Sequence, residues 1–125
     1  MTDGAIQPDG VAVPASPYSP VFASGDLGYT AGQVGSDRDG NVPDGVAAQT
    51  RQALDNLVAC LAAADCTLAD VMKVNSYLAD IGDFAEYNAV YREYFTEPFP
   101  ARTTVGAALA EGLLVEIEAV ARRNA

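Results

Sequence analysis

The segment "LLVEIEAVAR", residues 113 to 122, alternates so strictly that it constrains the whole fold. Val115, Ile117, Ala119 and Ala121 share one face of a strand, and Leu114, Glu116, Glu118 and Val120 share the other. The first face is purely apolar and calls for a covering layer of helices. The second is apolar at its ends and acidic in the middle, a pattern that fits burial against other copies of the chain better than full exposure. The expected product is an oligomer in which sheets pack together.

The rest of the chain supplies the missing layers. "VFASG" and "LGYTAGQV" read as a hairpin turning at Gly25 and Asp26, and "GSDRDGNVPDG" as a loop that ends with Asp44 placed to cap a helix. From Val46 to Ala64, Thr50, Leu54, Leu57, Val58 and Leu61 follow the three-four spacing of an amphipathic helix. "VMKVNSYLAD" predicts a strand carrying Met72, Val74, Ser76 and Leu78 on one face. A second helix starts near Asp83, groups Phe84, Tyr87, Asn88, Tyr91, Tyr94 and Phe95 on one side, and stops before Pro98. "ARTTVGAAL" and "LLVEIEAVAR" then form the last two strands, joined through Ala110, Glu111 and Gly112. The order is ββ, α, β, α, ββ, a single α+β domain over residues 1–125 with two helices on one face of one sheet. Residues 1 to about 12, rich in Gly, Asp and Pro, are expected as a loose N-terminal arm or a short edge strand.

Charge and residue types exclude several functions. Seventeen acidic residues against seven basic ones give a net charge of -10, which repels phosphate backbones and anionic membranes. No stretch approaches the roughly 18 apolar residues of a membrane span, and the start lacks the features of an export signal. Cys60 and Cys66, the two cysteines, are expected as reduced thiols, in keeping with a soluble cytoplasmic protein. Without histidine there is neither a Ser-His nor a Cys-His nucleophile, and two cysteines alone do not complete a zinc site. "GSDRDGN" matches neither a phosphate-cradling loop nor an EF-hand. Carboxylate and guanidinium chemistry remains.

If the last two strands form a hairpin around Glu111, Arg102 and Thr104 share a face with Glu116 and Glu118. Such an arginine is either a structural ion pair between subunits or a fork for a substrate carboxylate, with a glutamate handling protons. Tyr18, pinned between prolines in "SPYSP", reads as a loop aromatic over a core edge or as a pocket wall. Asn88 needs partners among its aromatic neighbours. Gly32 relieves crowding in a strand or admits a ligand close to the backbone.

The motifs "SPYSP", "YTAGQVG", "QTRQALDNL", "DFAEYNAVYREYF", "FPARTTV" and "LVEIEAVA" occur together in an order and spacing that resembles the reactive intermediate deaminase family, the RidA/YjgF group. The resemblance covers nearly all of residues 14 to 122. It implies a chorismate-mutase-like α+β fold, a mixed sheet with two helices on one face, assembled as a homotrimer whose sheets form a central barrel. It further implies clefts between subunits in which small imino acids, the 2-aminoacrylate/2-iminopropanoate and 2-aminocrotonate/2-iminobutanoate pairs, are hydrolysed to 2-keto acids and ammonia without cofactor or metal. By the same resemblance Arg102 binds the substrate carboxylate and Glu116 activates water, while Tyr18, Gly32, Asn88 and Thr104 line the pocket. Two positions depart from many members: Ala31 stands where serine is common, and Thr104 where cysteine is common. The alternatives are a non-catalytic trimer sensing small carboxylates and, as family names suggest, a ribonuclease or translation inhibitor. The last conflicts with the charge of -10.

Overall fold

Backbone freedom at Gly25 sets the first hairpin of the chain in this computed structural model, which describes residues 2–123. Gly4–Ile6 (β1) lies antiparallel along Val21–Ser24 (β2), which turns at Gly25, φ 58°, into Leu27–Thr30 (β3). Thus part of the first twelve residues takes the edge-strand form rather than lying loose. Gln33–Val34 (β4) follows, then helix Val46–Ala63 (α1), strand Val71–Leu78 (β5), helix Phe84–Tyr94 (α2), and strands Ala101–Gly106 (β6) and Val115–Arg122 (β7). The sheet order is β1-β2-β3-β7-β5-β6, with β4 also pairing β7. It is mixed, because β6 runs parallel to β5 while β7 is antiparallel to β3, β4 and β5.

The alternation in β7 decides where the core sits. Val115, Ile117, Ala119 and Ala121 are buried, together with Val74 and Leu78 of β5 and Val21 and Ala23 of β2. Ala53, Leu54, Leu57 and Leu61 of α1 and Tyr87, Val90 and Tyr91 of α2 close over this face. Asn56, on the same helix, is buried too, and its amide donates to the carbonyls of Val34 and Ser36, tying the loop after β4 to α1. The other face of the sheet is uncovered and exposes Phe22, Tyr29 and Val105.

Four local expectations are corrected. β6 does not form a hairpin with β7; β5 lies between them, because β5, α2 and β6 form a crossover unit, and such a connection returns the chain parallel to its starting strand. Met72 is exposed rather than on the inner face, since a bulge between Val71 and Lys73 shifts the alternation by one residue. Val58 sits at the exposed rim of α1's apolar stripe. Asp44 does not cap α1: the chain enters at Gly45 with φ 87°, a left-handed conformation suited to glycine, and Gly45 occupies the cap position without a side-chain bond.

The chain ends are fastened by a residue whose role the sequence did not signal. Arg123 is fully buried and donates to the carbonyls of Thr2, Gly25 and Ala64 and to the Asp3 carboxylate at 2.7 Å. Among the described residues, no helix is long and apolar enough to cross a membrane and no group of three metal-ligating side chains occurs.

Candidate active site

Strand β6 is an edge, so its inner-face side chains reach past β5 to α2. Arg102 pairs in register with Val74, which pairs with Ala119, and all three point to the helix side. There the guanidinium lies over three rings, 4.6 Å from the Tyr91 centroid, 5.4 Å from Tyr87 and 5.5 Å from Phe84. Nη1 donates to Asn88 Oδ1 at 2.8 Å. These rings recur at the three-four spacing of α2, so one helix face serves as a platform for the cation. No carboxylate pairs with Arg102 among the described residues, and most of its five donors are unused. Beside it opens a pocket of 320 Å³ lined by Asn88, Tyr91, Arg92, Phe99, Pro100 and Arg102.

Thr104 lies two residues along the same face, next to Ser76, whose hydroxyl bonds that of Tyr87. The Thr104 Oγ1 and the Tyr91 hydroxyl are both buried without a hydrogen-bond partner. Burial pushes the Tyr91 phenol up to about 12, a shift that Arg102 opposes, so the ring stays neutral under the cation.

Glu116 is on the opposite face. It pairs with Tyr77 of β5 and Val34 of β4, and its carboxylate fills the space that a side chain at position 32 would need: a Cβ on Gly32 would stand 2.2 Å from Glu116 Oε2. Burial, reinforced by the neighbouring Glu118, raises the Glu116 pKa above its ordinary value. Glu118 accepts from the Tyr77 hydroxyl at 3.1 Å and the Asn75 amide at 3.4 Å, whereas Glu116 has no such partner among the described residues. Of the two glutamates, only Glu116 is therefore free to accept a proton or hold a water. Tyr18 is exposed and borders, with Gly32, Gln33 and Asn56, a second groove of 250 Å³.

The six candidates fall into two groups. Arg102, Asn88 and Thr104 stand on the helix side at the β6 edge; Glu116 stands with Gly32 on the other side, where Tyr18 borders the groove that Gly32 lines. The expectation that Arg102 and Glu116 share a face is overturned, because it depended on the absent β6-β7 hairpin. The aromatic support of Arg102 and the presence of Arg92 in its pocket were not singled out from sequence, although Arg92 lies four residues beyond Asn88, at the spacing of helical neighbours.

Residues 10–123 match the Endoribonuclease L-PSP family. The chain belongs to that family. A RutC family protein of Pyrococcus horikoshii is 45% identical over 114 residues, covering 89% of this chain and 90% of that protein. A protein of Escherichia coli named 2-iminobutanoate/2-iminopropanoate deaminase is 41% identical over 113 residues, covering 86% and 88%. The crystal structure of RidA from the Antarctic bacterium Psychrobacter sp. superposes with a TM-score of 0.90 at 37% identity, covering 94% of this chain and 98% of that one. The resemblance to the RidA/YjgF group is thus met, and the α+β architecture of a mixed sheet with two helices is the one this family adopts.

Proposed function

We propose that this protein hydrolyses small 2-imino acids and their enamine tautomers, 2-aminoacrylate/2-iminopropanoate and 2-aminocrotonate/2-iminobutanoate, to 2-keto acids and ammonia. The observation that carries this reading is the division of the site. Among the described residues, a guanidinium without an anion stands at one edge of the sheet, and a carboxylate of raised pKa without a donor stands on its opposite face. Neither half can hold and hydrolyse a substrate alone. A neighbouring copy that brings its open sheet face against the β6 edge would join them, which is the geometry of a homotrimer with the sheets as an inner barrel and sites between subunits. The names of curated relatives such as the Escherichia coli deaminase support the same chemistry.

In this mechanism Arg102 holds the substrate carboxylate through its planar fork, with Asn88 and the aromatic platform fixing its orientation. Glu116 of the adjoining copy takes a proton from water as the oxygen adds to the C=N carbon, and returns it to nitrogen. The carbinolamine then collapses, its C–N bond breaks, and ammonia leaves with the keto acid. Thr104 lies beside the bound carboxylate, Gly32 keeps room next to Glu116, and Tyr18 closes the cleft. Positioning plus proton transfer, the latter worth on the order of 10² to 10⁴-fold, suffices for a reaction that already proceeds in water, and no metal or cofactor enters it. With Cys60 and Cys66 both free, a reducing cytoplasmic setting belongs to the same reading. The family's ribonuclease name finds little support in a chain of charge -10 without histidine.

The test mixes the protein with a threonine dehydratase and threonine, traps residual imine, and follows the keto acid. A shortened imine lifetime is expected; an unchanged lifetime at micromolar protein overturns the proposal, and saturable keto-acid binding without turnover would assign a sensor instead. Light scattering near three times 13.0 kDa is the expected assembly.

A further inference from the structure

The pocket beside Arg102 is lined by a second arginine. Arg92 stands four residues beyond Asn88 on α2, so the two occupy one helix face, and both line the 320 Å³ pocket. Arg92 has no ion pair or hydrogen bond among the described residues. Its acidic neighbour Glu93 is already engaged by Arg51, which donates to both carboxylate oxygens, at 2.9 and 3.2 Å. Among the described residues no carboxylate lines the pocket. Two of only seven basic residues, in a chain of charge -10, therefore line one small cavity to which the described residues of the same chain bring no carboxylate. Arg92 is exposed at this pocket, and an occupant with two negative groups can pair with both cations.

We infer that Arg92 is a specificity-determining residue that selects 2-imino acids carrying a second carboxylate, the 2-iminosuccinate class. Arg102 holds the carboxylate next to the C=N carbon, and Arg92 the distal one. The volume is at the small end of ligand pockets, which suits a chain of four or five carbons. Phe99 and Pro100 supply the apolar wall along which the connecting carbons lie. The reaction is unchanged: water adds, the C–N bond breaks and ammonia leaves. The assignment rests on the proposed role of Arg102. An arginine in the last turn of α2 also favours the carbonyl end of the helix dipole, but that contribution acts on stability and does not discriminate between substrates.

The experiment compares kcat/KM for 2-iminosuccinate, generated in situ by an aspartate-oxidising flavoenzyme, with that for 2-iminopropanoate, in the wild type and in Arg92→Gln, Arg92→Glu and Arg92→Lys. Calorimetry measures 2-oxosuccinate and 2-oxopropanoate binding to the same proteins. Removing one charge-assisted bond should lower the dicarboxylic-to-monocarboxylic ratio about tenfold in Arg92→Gln. The ratio should fall further in Arg92→Glu and recover partly in Arg92→Lys. Ratios that do not move in either measurement, or a wild type that acts on the monocarboxylic imine alone, overturn the Arg92 assignment and leave the Arg102 reading standing. A wild type that neither hydrolyses nor binds any of these compounds overturns both.

Discussion

Arg102 and Glu116 lie on opposite faces of one sheet, Arg102 beside Val74 under α2 and Glu116 beside Tyr77 on the uncovered side. A single substrate molecule cannot touch both within one chain.

Mixing two inactive variants tests this division directly. Arg102→Ala and Glu116→Ala are each expected to lose nearly all activity. Unfolded together in equal amounts and reassembled, they should recover roughly a quarter of the wild-type rate, since one in four randomly formed interfaces joins an intact Arg102 to an intact Glu116. No recovery would place both residues in one subunit's site.

Gly32→Ala probes the other half. The added Cβ would overlap the Glu116 carboxylate and Cγ, which stand 2.2 and 2.8 Å away, and the side chain must swing aside. Because a flexible side-chain end yields, thermal stability should change little, while activity falls by on the order of 10²-fold as the base is misplaced. Stability loss in proportion to activity would instead mark Gly32 as a structural residue.

The pH dependence follows from the raised pKa of Glu116, caused first by burial and then by Glu118. The ionised base is lost as pH falls through that raised value, so the acid limb of the rate profile should lie above the ordinary 4.5 and vanish in Glu116→Gln. For stability the sign is the reverse of the usual carboxylate case. Ionising Glu116 is disfavoured in the folded state, so the penalty is present above the folded pKa and absent below the unfolded one. Glu116→Gln should therefore melt above the wild type at neutral pH and converge with it in acid, as scanning calorimetry would show.

Arg123→Ala should destabilise the chain by about 3 kcal/mol, because it removes the buried guanidinium that ties the carbonyls of Thr2, Gly25 and Ala64 to one another and so releases the N-terminal strand. Hydrogen exchange should show β1 opening first. Full retention of stability would mean that the network contributes nothing beyond what water supplies.

Much of the architecture was legible because it depends on local periodicity. The apolar spacing of Leu54, Leu57 and Leu61, the Gly25 turn and the period of two in β7 all appear where the chain predicts them. Deviations came from features without a periodic signature, such as the bulge that turns Met72 outward and the Gly45 entry to α1. The buried ends of Arg123 and Asn56 were hidden for another reason: a polar residue in a core is recognised by its partners, and those are distant in sequence.

By itself the sequence determined the elements, the two-sided character of the sheet and, through its family motifs, which side chains to watch. Only the tertiary structure decided that β5 separates β6 from β7, and with it that Arg102 turns toward α2 and away from Glu116. The physical reason is that a strand's alternation says which residues share a face, while the choice of neighbouring strand, and so which face meets which, is made by the crossover through α2.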